Sequence, residues 1–269
     1  MLFRSRDHAT NRVSAFGEWR QALGRRVQAD ASARIDRYDE FGTSASPSLG
    51  ISWWASDAVR VRASGGRAFR VPTFTERYYS DPANLAREEV GPETAWSGEG
   101  GADVFVGQSW LFQATLFRRN ERDVIDWLRA TPADRWRTYN VHRVETLGLE
   151  LAAKRMLARG ALLQVGYTGV DVDAATVSTF CGAPSCLSKY VLEYAPRSLN
   201  VGALVTLPGA IKVAPRLEVK HRRRNAIATD YALVDLRVSR AFGRYEVRAE
   251  GTNLGDTVYQ EITGVAMPG

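Results

Sequence analysis

The sequence predicts an all-β fold, an antiparallel transmembrane β-barrel. Val234, Leu236 and Val238 alternate with Asp235 and Arg237, and the same alternation returns in several other segments. Side chains of a strand point to opposite faces with period two, so each such segment has one apolar and one charged face. The chain has no apolar run of about 18 residues, as a transmembrane helix would need. A barrel wall with lipid outside and water inside explains both observations.

Twelve strands are predicted from this alternation. They span residues 9–20, 24–36, 43–55, 58–68, 94–106, 110–127, 137–155, 161–173, 193–207, 210–224, 230–242 and 245–255. Short connections between them alternate with longer ones, which are residues 37–42, 69–93, 128–136, 174–192 and 225–229. Outer-membrane barrels have short periplasmic turns and long extracellular loops. The loop lengths therefore favour a membrane barrel over a soluble sandwich.

Composition and motifs argue against several other functions. Although 36 basic residues exceed 30 acidic ones, they are spread along the strands rather than gathered in one patch, which argues against nucleic-acid binding. The sequence contains no catalytic motif, and its three histidines are scattered, so no enzyme activity, metal site or cofactor is expected. The lumen carboxylates Glu99, Asp103 and Asp235 are expected to pair with arginines across strands.

Four segments, in this order and at these spacings, resemble motifs of the TonB-dependent outer-membrane receptors. They are Gly66 to Glu76 (GRAFRVPTFTE), Pro92-Glu93-Thr94 with Glu99 and Gly101, Tyr139-Asn140 with Gly148-Leu149-Glu150, and Asn253 to Asp256 (NLGD) with Tyr259. Within that family, the segment from Asn120 to Trp127 (NERDVIDW) is most similar to the vitamin B12 receptors.

The resemblance implies that residues 1–269 are the C-terminal portion of the receptor barrel. About twelve strands of a roughly 22-stranded barrel would be present, without a plug domain, a TonB box or a signal peptide, so the barrel is expected to be incomplete. The implied function is uptake of a corrinoid or a ferric siderophore across the outer membrane, in contact with its lipid and energised by TonB through the missing plug domain. A plain outer-membrane barrel with a porin, adhesive or structural role is the alternative.

Residues 69–93 and 128–139 are expected to form part of a ligand-facing rim. Large amphipathic ligands bind to aromatic faces and polar groups. The residues that offer these groups are Arg77, Tyr78, Tyr79, Asn84, Trp127, Trp136 and Tyr139. Packing of the loops or an interfacial aromatic girdle is the other interpretation of the same residues.

Both cysteines of the chain, Cys181 and Cys186, lie in the predicted extracellular loop 174–192. Because that environment is oxidising, a disulfide between them is expected. A metal-binding pair is the alternative, although the spacing is wider than Cys-x2-Cys and the chain has no second pair.

Overall fold

The computed structural model describes residues 8–174, 186–224, 227–261 and 267. These residues form an antiparallel sheet with one five-residue helix, α1 (Phe74–Tyr78), and a 3-10 turn at Ala158–Gly160. The strands are β1 Arg12–Leu23, β2 Val27–Tyr38, β3 Gly42–Trp54, β4 Val59–Arg70, β5 Asn84–Leu85, β6 Glu93–Val106, β7 Trp110–Arg129, β8 Trp136–Met156, β9 Leu162–Asp173, β10 Leu187–Ser188, β11 Glu193–Leu207, β12 Ile211–Arg224, β13 Ile227–Phe242 and β14 Tyr245–Gly251. None of the helices in the described ranges is long and apolar enough to cross a membrane.

The sheet is a meander of consecutive hairpins. Its order is β1-β2-β3-β4-β6-β7-β8-β9-β11-β12-β13-β14, while β5 pairs with β8 and β10 pairs with β7. Within the described strands, β1 and β14 do not pair with each other, so the sheet is open. The predicted fold class, an incomplete antiparallel barrel, is confirmed. The twelve predicted strands are the twelve long ones, and β5 and β10 are two-residue additions inside long loops.

The strand bounds show that two connections predicted to be long are short, so the predictions for residues 37–42 and 225–229 were wrong. β2 ends at Tyr38 and β3 begins at Gly42, whose φ of 72° permits the sharp turn. β12 ends at Arg224 and β13 begins at Ile227. In both places the polar residues continue the strand ladder, because charged side chains are compatible with strands that project beyond the lipid. The three long loops lie at the same edge of the sheet as these two turns.

One face of the sheet carries charged residues in cross-strand pairs, as expected for a barrel lumen. Asp103 is fully buried and accepts a 2.7 Å hydrogen bond from Arg60 and a 2.9 Å bond from Gln113. Glu99 lies 3.4 Å from Arg62. The predicted pairing with arginine is thus confirmed at Glu99 and Asp103. At Asp235 it was wrong, because within the described residues its carboxylate has no ion pair and accepts the backbone N–H of Asn253 at 2.9 Å.

The opposite face is apolar and exposed. Val13, Leu49 and Leu116 have exposed fractions of 76%, 68% and 56%. They belong to the alternate positions that point away from the charged face, and exposed valines, leucines and tryptophans follow one another on this face from strand to strand. A surface of this size would associate in water, whereas in a membrane it contacts lipid.

Adjacent glycines of β6 provide a matched test of the packing. A methyl group on Gly101 would lie 2.5 Å from the carbonyl oxygen of Ala114, whereas one on Gly100 would meet nothing within 4 Å. We expect Gly101→Ala to lower the free energy of unfolding by about 1–3 kcal/mol because β6 and β7 must separate locally. Denaturant unfolding of the protein folded in detergent micelles measures this. Gly100→Ala is the control, and equal stability of the two variants would contradict the close packing at Gly101.

Candidate functional site

The long loops form a folded layer at one edge of the sheet, which we call the rim (residues 71–92, 126–140 and 186–192). Loop 71–92 begins with α1, whose N-terminus is closed by a capping box between Thr73 and Glu76. Arg70, at the end of β4, donates to Glu76 at 2.8 Å and to Glu93 at 2.7 Å. This guanidinium therefore fixes both ends of the loop to the tops of their strands.

Loops 71–92 and 186–192 both attach to the hairpin of β7 and β8, whose strands have 20 and 21 residues. β5 of loop 71–92 adds in parallel to β8, with Asn84 opposite Trp136. β10 adds antiparallel to β7, with Ser188 opposite Leu128. A tilted membrane strand needs about 9–11 residues in lipid, so the tips of β7 and β8 extend beyond the bilayer. They serve there as a template for the two loops.

Asp81 organises the turn that leads into β5. Its carboxylate accepts hydrogen bonds from the Tyr79 hydroxyl at 2.8 Å, the Ala83 N–H at 2.7 Å and the Asn84 side chain at 2.9 Å. The bonds from Tyr79 and Asn84 lower the pKa of Asp81 from its ordinary 3.8 to about 2. Arg135 closes the same turn by donating to the Asn84 carbonyl at 2.6 Å.

Lys189 joins loop 186–192 to loop 71–92. Its ammonium donates to the Asn84 side-chain oxygen at 2.6 Å and lies 4.9 Å and 5.1 Å from the ring centroids of Trp127 and Trp136. Arg129 also lies over the Trp136 ring, at 4.2 Å. Burial lowers the pKa of Lys189, and the nearby Asp81 carboxylate opposes that shift. The hydrogen bond to Asn84 and the cation–π contacts of Lys189 together join three segments of the rim.

A buried carboxylate anchors loop 186–192 from below. Asp126 is fully buried and accepts hydrogen bonds from the Ser188 hydroxyl at 2.5 Å and the Val191 N–H at 3.1 Å. Beside it lies the apolar cluster of the rim, made of Leu128, Val141, Val144, Ala174 and Cys186.

The seven residues predicted to bind ligand fall into two groups, and the structure does not gather them at one point. Asn84, Trp127 and Trp136 meet around Lys189, and Trp127 is buried there. Tyr139 lies beneath the Arg87 guanidinium at 4.7 Å. The other three, Arg77, Tyr78 and Tyr79, lie in and directly after α1.

The second group borders a groove of about 590 Å³ beside α1. The His8 ring stacks on the Tyr78 ring with centroids 3.6 Å apart, and Phe74 continues the aromatic wall. Arg77 lines the groove but is held by Glu40 at 2.6 Å, so its charge is already compensated. Tyr79 is 44% exposed. The groove thus presents flat aromatic faces with a small net charge, which suits a large ligand with planar parts.

Sequence reasoning missed Lys189, Arg135 and Asp126. Lys189 is one of four lysines among 36 basic residues, which is the only signal that singles it out in the sequence. Asp126 lies in a strand where any carboxylate would be assigned to a solvated face. These residues contact loops that pack on the β7–β8 hairpin, and no local sequence pattern predicts which loops will pack there.

The predicted disulfide is untested, because Cys181 lies outside the described residues. Cys186 is buried in the apolar cluster of the rim.

Comparison with known proteins decides the family. Residues 2–254 match the model of the TonB-dependent receptor-like β-barrel. The chain belongs to this family. It is therefore part of the wall of an outer-membrane β-barrel of the TonB-dependent receptor type, as predicted.

Individual relatives agree with the family match. A vitamin B12 transporter, BtuB, of Vibrio vulnificus is 31% identical over 127 residues, which cover 47% of this chain and 20% of that protein. BtuB of Photobacterium profundum is 26% identical over 132 residues, or 47% of this chain and 21% of that protein. The chain thus matches about a fifth of the length of these relatives.

The fold is also found in a solved structure. A variant of the ferric enterobactin receptor PfeA from Pseudomonas aeruginosa superimposes with a TM-score of 0.73 at 16% identity. The match covers 93% of this chain and 40% of that receptor. At this identity the likeness concerns the fold of the barrel wall.

The Asp81 turn is expected to make the rim sensitive to acid. Since the pKa of Asp81 is depressed in the folded state, its stabilising effect is present above pH 3.8 and is lost as the pH falls towards about 2. We expect hydrogen exchange of residues 79–85, corrected for intrinsic rates, to accelerate over this range. In Asp81→Asn the segment should exchange quickly already at neutral pH. Asp57→Asn, in a short turn, is the control, and slow exchange of Asp81→Asn at neutral pH would contradict the assignment.

The disulfide can be tested directly on protein isolated from the outer membrane. Mass spectrometry without reductant should show the peptides of Cys181 and Cys186 joined, because an extracellular loop is in an oxidising environment. Alkylation of both thiols without prior reduction would reject the bond.

Proposed function

We propose that residues 1–269 form the C-terminal portion of the barrel of a larger TonB-dependent receptor, which takes up a scarce nutrient too large for a porin. The match of residues 2–254 to the receptor barrel family is the observation that carries this proposal. The rim supports it, since its described segments pack together at one edge of the sheet and loop 71–92 borders a groove with His8.

The ligand class we propose is a corrinoid of the vitamin B12 type, with a ferric siderophore as the second candidate. The two relatives compared by sequence are vitamin B12 transporters, and one of them is 31% identical. The solved structure is that of a ferric enterobactin receptor, but its 16% identity supports the fold alone. Tyr78 and Tyr79 border the groove and offer aromatic faces that suit the planar ring system of a corrinoid, and Trp136 in the neighbouring group is proposed to contact its side groups.

In the proposed mechanism the rim captures the ligand and the polar lumen wall conducts it inwards. The charges of the wall are already neutralised by ion pairs, such as Arg60–Asp103 and Arg62–Glu99. The wall therefore offers a ligand many weak polar contacts and no strong unpaired charge among these residues. Release would require work from TonB, transmitted through a plug domain that this chain is proposed to adjoin. The role of this chain is thus capture and conduction, and the TonB contact belongs to the plug.

The ligand assignment is testable in the intact receptor by fluorescence quenching with cyanocobalamin and, separately, with ferric enterobactin. Alanine replacements of Tyr78, Tyr79 and Trp136 are each expected to weaken corrinoid binding by about two- to tenfold, the effect of one aromatic contact. Trp19→Ala is the control, because Trp19 is an exposed aromatic residue of the lipid-facing surface on β1.

Each outcome separates the candidates. If cyanocobalamin quenches the fluorescence of the wild type and the three variants bind it more weakly, the corrinoid assignment is supported. If only the ferric chelate quenches the fluorescence, the ligand is instead a siderophore. Unchanged affinity in all three variants would remove these residues from the site. Genomic DNA around the coding sequence provides an independent test, since the proposal requires a segment that encodes a plug.

A further inference from the structure

The arginines of the sheet have two kinds of neighbour, carboxylates and aromatic rings. On the lumen face, arginines are paired with carboxylates, and the pairs include Arg34–Asp36, Arg60–Asp103, Arg70–Glu93, Arg119–Glu121 and Arg237–Glu250. Arg155, Arg240 and Arg244 lie on or beside the lipid-facing surface at the short-turn edge. Within the described residues, none of these three has a carboxylate within ion-pair distance.

The hairpin of β13 and β14 holds two of these cations next to two aromatic rings. The Arg240 guanidinium lies 4.5 Å from the ring centroid of Phe242, and that of Arg244 lies 5.2 Å from the ring of Tyr245. Phe242 and Tyr245 are directly opposite each other in the ladder and are 47% and 64% exposed. Two unneutralised cations therefore flank one exposed aromatic pair.

The surroundings of this hairpin show which phase it faces. Arg240 is cross-strand to Val247 on one side and to Ile211 on the other, so it shares the apolar face of the sheet. Its guanidinium reaches the turn between β11 and β12, where it lies within 4 Å of a methyl position on Gly209. Short turns of outer-membrane barrels lie at the periplasmic side. The pair of cations is thus placed where the apolar surface meets the inner leaflet interface.

The same arrangement occurs a second time, between β7 and β8. Arg155 is directly opposite Trp110 in the ladder, and its guanidinium lies 4.7 Å from the ring centroid. Trp110 stacks on Phe112 of the lipid-facing surface at 5.3 Å. β7 and β13 are not neighbours in the sheet. An arginine without a carboxylate partner thus lies over an aromatic ring at two separate places along this edge.

We propose that the hairpin of Arg240, Phe242, Arg244 and Tyr245 binds the phosphodiester headgroup of an anionic phospholipid in the periplasmic leaflet. A guanidinium donates two parallel hydrogen bonds to phosphate oxygens, and its stacking on an aromatic ring limits the loss of conformational entropy. The aromatic rings lie at headgroup depth, as is usual for residues of the interfacial girdle. The acyl chains of the same lipid would continue along the apolar face past Val247, which is 63% exposed.

The experiment measures phospholipid binding to the intact protein, extracted in detergent and stripped of lipid, by native mass spectrometry. The probes are phosphatidylglycerol, which is anionic, and phosphatidylcholine, which has no net charge. The wild type should prefer phosphatidylglycerol, and each of Arg240→Gln and Arg244→Gln should weaken its binding by about fivefold, as expected for one cation at an anionic surface. The matched control is Arg248→Gln, which removes the same charge from the same hairpin but on the lumen face, where Arg248 is paired with Glu246.

Each result either supports or overturns the proposal. Loss of the preference in R240Q and R244Q, with the preference retained in R248Q, supports it. Equal binding of both lipids by the wild type, or the same loss in all three variants, overturns it. Displacement of phosphatidylglycerol by inorganic phosphate, at a concentration where sodium chloride of equal ionic strength has no effect, would show a site for free phosphate and also overturn it. Heat-modifiable migration in a gel shows whether each variant is folded. If a variant is not folded, the preference of the wild type for phosphatidylglycerol over phosphatidylcholine still tests the proposal. None of these outcomes depends on the nutrient that the receptor takes up.

Discussion

Hydrogen bonding of the backbone in lipid is the constraint on which this structure depends. Because the hydrocarbon core offers no water, every N–H and C=O group of a spanning segment must find its partner within the sheet. The ladder of β7 and β8 accordingly keeps one register from Trp110 opposite Arg155 to Leu128 opposite Arg137. The shift in register between β11 and β12 falls between Tyr194 and Arg197, near the rim. Irregular backbone is thus confined to the level where water or protein can satisfy it.

A continuous ladder also decides where side chains point, and this explains the charge pattern. With alternate residues facing lipid, charges can be accommodated only at the other alternate positions or at the two edges. In the lumen, neighbouring strands bring Arg60 and Asp103 into direct cross-strand register, so burial of the carboxylate is compensated. At the short-turn edge, Arg155, Arg240 and Arg244 have no carboxylate partner among the described residues, and their neighbours are aromatic rings. The difference follows from the phase that each face meets.

The sequence predicts the positions of the long strands, which the hydrogen-bond ladder determines. It does not predict the contacts of the loops that pack back on those strands. Alternation locates all twelve long strands, because period two is a local property of each segment. It does not locate the strand ends at Tyr38 and Arg224, since polar residues beyond the bilayer are compatible with both strand and loop. Nor does it locate β5, β10 or the contacts of Lys189, because these depend on which distant segment lies above β7 and β8. The predicted ligand residues were accordingly identified by type, and their division into two groups came only from the fold.

The rim divides into a part that is anchored by buried groups and a part that is held by more exposed contacts. Loop 186–192 rests on the buried Asp126 and on the apolar cluster of the rim, so its displacement would expose apolar surface and leave a buried carboxylate without partners. Loop 71–92 is joined to loop 186–192 by the hydrogen bond between Lys189 and Asn84, and to the β7–β8 hairpin by the hydrogen bond that Arg135 donates to the Asn84 carbonyl. Such contacts exchange readily with water, and their net contribution to stability is about 1 kcal/mol each. Displacement of loop 71–92 should therefore cost less free energy than displacement of loop 186–192, because it breaks fewer buried contacts.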